Sequence, residues 1–173
     1  MTEIIYINTL FQSLQNETPN CGGQYHFTKI DLQENSNTFE SLKEYMLRYD
    51  QYRNPYYFDE RTNENVYIKW RDPTNLILER IEKLDGYLEN KLEYWSKHRT
   101  SLDCLEEITS LYKPLETEFK NMLLSFLNHE IIVGIYSIGF VDTCYCFGHD
   151  HVNDDTLIQT TKGSYILHFG WSS

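Results

Sequence analysis

The chain has 173 residues, with 26 Asp and Glu against 15 Lys and Arg and a formal net charge of −11. That length can bury a continuous core without disulfide or metal staples and is short for two full domains, so residues 1–173 read as a single domain. A hydrophobic share of 40% with 24% charged residues excludes a disordered chain, and the negative field argues against direct binding to nucleic acid or to an anionic membrane surface.

Fourteen tyrosines help raise the aromatic share to 15%. This exceeds what a core of this size needs, so some phenol rings are expected at the surface, where they favour recognition. Cys21, Cys104, Cys144 and Cys146 are spread too widely for a dense disulfide framework. No basic segment followed by an apolar run stands at the N-terminus, and no apolar stretch spans a bilayer. The expectation is a cytoplasmic protein with reduced thiols.

In chain order, Ile4, Ile7, Leu10, Phe11 and Leu14 recur at helical spacing, although Ile4 to Ile7 alone also fits a strand. Pro19 and Gly22-Gly23 give turn chemistry, and 25–32 alternates as a strand. Asn37 as cap, with Glu40 in the capping-box position and Phe39, Leu42 and Met46 on one face, predicts a helix over 38–50. Beyond Pro55, the runs 56–59 and 66–70 flank a polar 61–65 and predict a hairpin with a long turn.

Asp72 as cap and Pro73 at the first helical position predict a long helix carrying Ile77, Ile81, Leu84, Leu88, Leu92 and Trp95, with Glu79–Lys83 and Glu93–Lys97 pairs on its exposed side. A second helix is expected from about Ser101, with Leu102, Leu105, Ile108 and Tyr112 facing inward. Pro114 interrupts or restarts it, and Leu115, Phe119, Met122, Leu123 and Phe126 continue the phase, which predicts either a third helix or a continuation of the second beyond a kink. These helices are expected to pack as an antiparallel hairpin.

From Ile131 the pattern becomes β-branched and aromatic. A bent or closely approached strand is expected over 131–141 around Gly134 and Gly139, with 143–147 as an antiparallel partner. Strands over 156–161 and 164–169 are joined by a Lys162-Gly163 turn. The fold class is therefore α+β: a mainly antiparallel sheet of C-terminal strands plus a central hairpin, packed against three to four helices. A charged, mostly helical middle, about 36–129, precedes a strand-rich part, 131–171.

Several constellations bear on chemistry. Cys144, Cys146, His149 and His151, with Asp154 or Asp155, offer zinc-type ligands, but structural zinc sites draw ligands from two separated segments, and two cysteines on one strand face behave as small hydrophobes. Asp150, Asn153, Asp154 and Asp155 make an oxygen-rich loop without the alternating spacing of a calcium loop. Ser137, between Gly134 and Gly139, lacks the following helix of a nucleophile elbow and reads as a sheet residue. Cys21 could be served by His26 or His129 only if the fold brings them together. Phosphate-loop, dinucleotide-binding, H-E-x-x-H and C-x-x-C motifs are absent.

The remaining constellation mixes rings and carboxylates over 45–60. From it the expected partner-binding residues are Tyr49, Asp50, Tyr56, Tyr57, Asp59 and Glu60, with Glu82, Asp85, Glu89 and Glu93 as a second acidic patch. The functional expectation is an acidic protein-binding module, an inhibitor or immunity- or antitoxin-like neutraliser of a basic nuclease or other nucleic-acid-directed enzyme, with no cofactor and no catalysis of its own. The alternatives are a small zinc-binding protein or metal-dependent enzyme using Cys144 to Asp155, and a self-associating domain.

Overall fold

A computed structural model describes residues 2–16, 22–32, 37–48, 54–69, 72–97, 105–140 and 152–172. Within them lie four helices, α1 (Thr2–Asn16), α2 (Thr38–Leu47), α3 (Leu84–Lys97) and α4 (Leu105–Asn128). Seven strands accompany them: β1 (Gly22–Ile30), β2 (Tyr56–Asp59), β3 (Glu64–Tyr67), β4 (Leu76–Arg80), β5 (Ile132–Phe140), β6 (Val152–Thr160) and β7 (Gly163–Ser172). The larger sheet is antiparallel, in the order β1-β7-β6-β5-β4, and β2 and β3 form a separate two-stranded hairpin. The class is α+β, as the patterning predicts. No described helix is long and apolar enough to cross a membrane.

The chain groups into two compact units, Met1–Ile30 with Arg80–Ser137 and Phe147–Ser173, and Asp31–Glu79 with Ile138–Cys146. In the first, the register of three strands sorts the side chains. Tyr25 stands opposite Phe169, Phe27 opposite Leu167 and Lys29 opposite Tyr165, while Thr156 and Ile158 of β6 stand opposite Leu167 and Tyr165. Residues directly opposite in a ladder share a face, so one face gathers these aromatic and aliphatic groups. Ile7, Phe11 and Leu14 of α1, Leu84, Leu88, Leu92 and Trp95 of α3, and Phe119 and Leu123 of α4 complete the same buried cluster.

The cluster is largely aromatic. Phe11 stacks on Phe119 with ring centroids 4.3 Å apart and meets Phe169 and Tyr25 at 4.9 and 5.1 Å. Phe27 stacks on Tyr165 at 5.1 Å, and Trp95 lies parallel to Phe169 at 5.7 Å. Part of the high aromatic content is thus consumed inside. Such rings bury large apolar areas and add the geometric preferences of ring pairs.

β1 lies at one edge of the sheet, and α1 covers that edge chemically as well as sterically. The Asn8 amide donates from Nδ2 to the Phe27 carbonyl at 2.8 Å and accepts the Phe27 N–H on Oδ1 at 2.7 Å. Gln15 Oε1 accepts the Tyr25 N–H at 3.0 Å. Two side chains therefore supply the hydrogen bonds that another strand would supply, and they block edge-to-edge pairing.

In the second unit, Asn37 caps α2 through its side chain, which accepts the Phe39 N–H at 3.0 Å, and Leu42 and Met46 are buried, as the capping pattern predicts. The helix stops at Leu47, three residues short of the expected end. The hairpin forms with a tighter turn than expected: Asp59 pairs with Glu64, the Asn63 N–H donates to the Asp59 carbonyl at 2.8 Å, and Asn63 adopts φ 56°. Asn tolerates this left-handed conformation better than most residues.

Two expectations are corrected. Asp72 does cap and Pro73 does open a turn, but the turn is a single 3₁₀ segment, Pro73–Asn75, followed by strand β4 and only then by α3. Leu76, Ile77 and Leu78 satisfy helix and strand spacing alike, and pairing with β5, marked by the Ile81 N–H to Ile135 carbonyl bond at 2.9 Å, decides for the strand. Glu79 and Lys83 consequently share no helical face. The last hairpin turns at Thr161-Lys162 instead of Lys162-Gly163; Thr160 pairs with Gly163, whose φ of 154° and contact with the Lys29 stem suit glycine. Of the two alternatives at Pro114, continuation is the one observed: α4 runs through it as one helix, with Tyr112, Phe119 and Leu123 in the same buried cluster. The expected strand over 143–147 lies outside the described residues.

Replacing Asn8 by Ala should orphan the N–H and carbonyl of Phe27 and cost about 1–3 kcal/mol of unfolding free energy. Chemical denaturation measures the loss, and light scattering should show increased self-association through the bared β1 edge.

Candidate functional site

The hairpin is where the expected partner-binding residues concentrate. Tyr56 and Tyr67 are directly opposite, with ring centroids 5.3 Å apart, and Phe58 follows Tyr56 on the same face by the period of two. These three rings keep 48%, 39% and 55% of their surface open. Tyr57, opposite Val66, stands on the other face of the ribbon and is also exposed. The expected group is thus divided: Tyr56 and Tyr57 do not act side by side, and the ring that joins Tyr56 is Tyr67. That partner follows from the register set by the turn between Asp59 and Glu64, which the spacing along one strand does not carry.

Tyr67 is held from below. Its hydroxyl donates to Asp72 Oδ2 at 2.8 Å and accepts from Asn75 Nδ2 at 2.7 Å, while Asp72 Oδ1 accepts the Thr74 N–H and hydroxyl at 2.9 and 2.6 Å. The bonds from Thr74 come first among the causes that hold the Asp72 carboxyl below its ordinary range, so it is ionised at neutral pH. The Tyr67 phenol is raised, chiefly by its bond to Asp72, and stays protonated. The cap of the 3₁₀ turn is therefore also the support of an exposed ring.

At the hairpin tip stand Asp59, Glu60 and Glu64 with one basic residue, Arg61. Asp59 Oδ1 accepts the Arg61 N–H at 2.9 Å, which fixes the turn and orients that carboxylate. Tyr49 and Asp50 lie outside the described residues. The second acidic patch is partly neutralised: Lys120 of α4 bridges to Asp85, at 2.9 Å, and to Glu89, so these carboxylates fasten α3 to α4.

Cys144, Cys146, His149 and His151 lie outside the described residues. Among the described residues, no three His, Cys, Asp or Glu side chains are arranged to hold a metal ion. Asp154 and Asp155 belong to strand β6 and not to an oxygen-rich loop, and adjacent strand residues face opposite ways. Asp154 accepts from Lys91 Nζ and, at 3.4 Å, from Trp95 Nε1, beside a Tyr87 hydroxyl 2.9 Å from Thr156 Oγ1. Asp155 meets His168 on the opposite face, with Nδ1 and Oδ1 2.6 Å apart. Ser137 is a residue of β5, as its sequence context predicts.

A third polar group is built around Glu130, which is buried. Its carboxylate accepts from the Tyr165 hydroxyl at 2.9 Å and from Thr160 Oγ1 at 2.7 Å. Burial first, then the bond to Glu130, pushes the Tyr165 phenol well above its ordinary range, so it remains a donor at every physiological pH. This group anchors the β6–β7 turn to the end of α4.

No protein-family model matches the chain, and neither a curated protein nor a solved structure matches it. The fold and surface define an α+β protein bearing an exposed aromatic hairpin edged with carboxylates.

Burial disfavours the Lys91 ammonium, but the hydrogen bond and charge of Asp154 outweigh it and its pKa is raised. Asp154→Ala should therefore cost about 1–3 kcal/mol, less than for a fully buried pair because Lys91 keeps 26% of its side-chain surface open. The double variant with Lys91→Met should recover much of the loss in chemical denaturation. Because the folded pKa of Lys91 is raised, its contribution is complete below the unfolded value of about 10.4 and fades as pH rises through the folded one. The stability gap between wild type and Lys91→Met should narrow only above about pH 10.

Proposed function

We propose that this protein is a binding module that recognises a basic protein partner through the β2–β3 hairpin, and that it acts as an inhibitor or neutraliser of a nucleic-acid-directed enzyme. The observation that carries the reading is the exposed face of Tyr56, Phe58 and Tyr67 on a two-stranded ribbon whose tip holds three carboxylates against one cation. A two-stranded hairpin is marginal by itself, and beyond the Tyr56–Tyr67 cross-strand pair its rings stay open to water, whereas a partner that covers them buries apolar area at an ordered surface.

The carboxylates specify the charge of that partner. Aromatic rings accept guanidinium and ammonium groups on their faces, and neighbouring carboxylates strengthen the preference. A net charge of −11 adds long-range attraction for a cationic cleft and repels phosphate backbones. An enzyme acting on nucleic acid presents such a cleft, and an acidic protein seated in it occludes the substrate. Asp59 and Glu60 at the tip are assigned to the rim of this surface, with Tyr56, Phe58 and Tyr67 at its centre.

Affinity capture from native lysate, followed by calorimetry with the purified captured protein, tests the reading. One basic enzyme should be bound and inhibited. Tyr56→Ala with Phe58→Ala should weaken binding by about tenfold or more. Asp59→Lys with Glu60→Lys should slow association and flatten its salt dependence. Capture of no basic protein, or full binding by both variants, would remove the hairpin from this role.

A further inference from the structure

A second constellation crosses the first unit on the face of the sheet opposite the aromatic core. His26 of β1 stands directly opposite His168 of β7, and His168 stands directly opposite Asp155 of β6. The two imidazoles stack, with centroids 4.5 Å apart and planes inclined by 28°. His168 Nδ1 and Asp155 Oδ1 are 2.6 Å apart, which requires the proton on Nδ1 when the carboxylate is ionised. His168 and Asp155 keep 15% and 21% of their side-chain surface open. His26 is exposed at its rim, so a proton can reach the row from water.

We infer that this row is a proton-operated latch on the β1–β7 seam: with at most one proton shared by the two imidazoles it holds β1 down, and with both protonated it pushes β1 away. A proton on His168 is balanced by the adjacent Asp155 carboxylate, and a neutral His26 ring then lies against the cation with favourable stacking. A second proton puts two cations face to face with a single carboxylate between three strands. Among the described residues, the groups that act electrically on His26 are His168 from β7 and Asp155 from β6, the first opposing a charge and the second favouring it. Desolvation by the crowded strands comes first and repulsion by His168 second, and together they outweigh Asp155 and lower the His26 pKa.

The sign follows from linkage. A histidine whose folded pKa is depressed below its unfolded value of about 6.5 makes the unfolded or opened chain the better proton acceptor. Stability is therefore undiminished above that value and declines as pH falls through it, levelling off below the folded pKa. The edge position of β1 localises the effect. Its ladder bonds reach one neighbouring strand only, and its free side is held by Asn8 and Gln15 of α1. Opening the seam requires no other strand of the sheet to separate, so local release precedes global unfolding.

Imidazole resonances followed by NMR between pH 8 and pH 5, together with amide hydrogen exchange over the same range, test the latch on the full chain. His26 should titrate below the free-histidine value. After correction for intrinsic exchange, amides of 22–30 should exchange at least about tenfold faster at pH 5 than at pH 7.5, while those of 119–127 in α4 stay protected. His26→Gln should abolish that acid acceleration, and Asp155→Asn, which removes the charge that favours protonation of His26, should move the His26 titration further down. Titration of His26 at or above the free value, exchange of 22–30 independent of pH, or the same acceleration in His26→Gln would each overturn the inference. Should the variants fold poorly, the wild-type titration and exchange remain decisive.

Discussion

The register of β7 between β1 and β6 is the constraint from which most of the first unit follows. Side chains alternate by twos along a strand, so a slip of one residue would exchange the two faces. In the observed register, Tyr25, Phe27, Tyr165, Leu167 and Phe169 meet the apolar sides of three helices, while His26, His168 and Asp155 line up on the reverse. The slipped alternative would drive two imidazoles into an aromatic cluster and leave five large rings and side chains in water. The apolar core and the histidine row are two consequences of one choice.

Polar groups then fix details that hydrophobic burial leaves open. Asp154 brings a carboxylate onto the core side of β6, where it meets Lys91 and the Trp95 indole and so sets where α3 rests along the strand. Glu130, Tyr165 and Thr160 tie the exit of α4 to the last hairpin turn. Asn8 and Gln15 give β1 the hydrogen bonds of a missing neighbour. A buried polar group without its partner costs more than the pair contributes. Each of these therefore acts mainly by excluding other arrangements.

The hairpin follows a different logic. In the first unit most rings are buried; on β2 and β3 they are displayed, and the tip carries an excess of carboxylates. The support beneath Tyr67 is a rigid one, a 3₁₀ turn capped by the same aspartate that receives its hydroxyl. Ordering a ring before a partner arrives lowers the entropy lost on binding. This is the physical basis for reading the hairpin as a recognition surface, and it separates that surface from the acidic side of α3, where Asp85 and Glu89 are matched by Lys120.

The sequence by itself determined the α+β class, α1, the capped α2, the hairpin on either side of Arg61, and the strand character of 132–140 and of the last hairpin. In each case the deciding information is local: a cap three residues from its glutamate, an apolar period, a polar turn between two β-rich runs. The tertiary structure alone decided that Leu76 to Arg80 is a strand, because helix and strand periods coincide there and only β5 breaks the tie. It alone paired Tyr56 with Tyr67 and set His26 beside His168, 142 positions away along the chain. Cross-strand neighbours are fixed by register, and register is a property of the assembled sheet, with no counterpart in the spacing of residues along one strand.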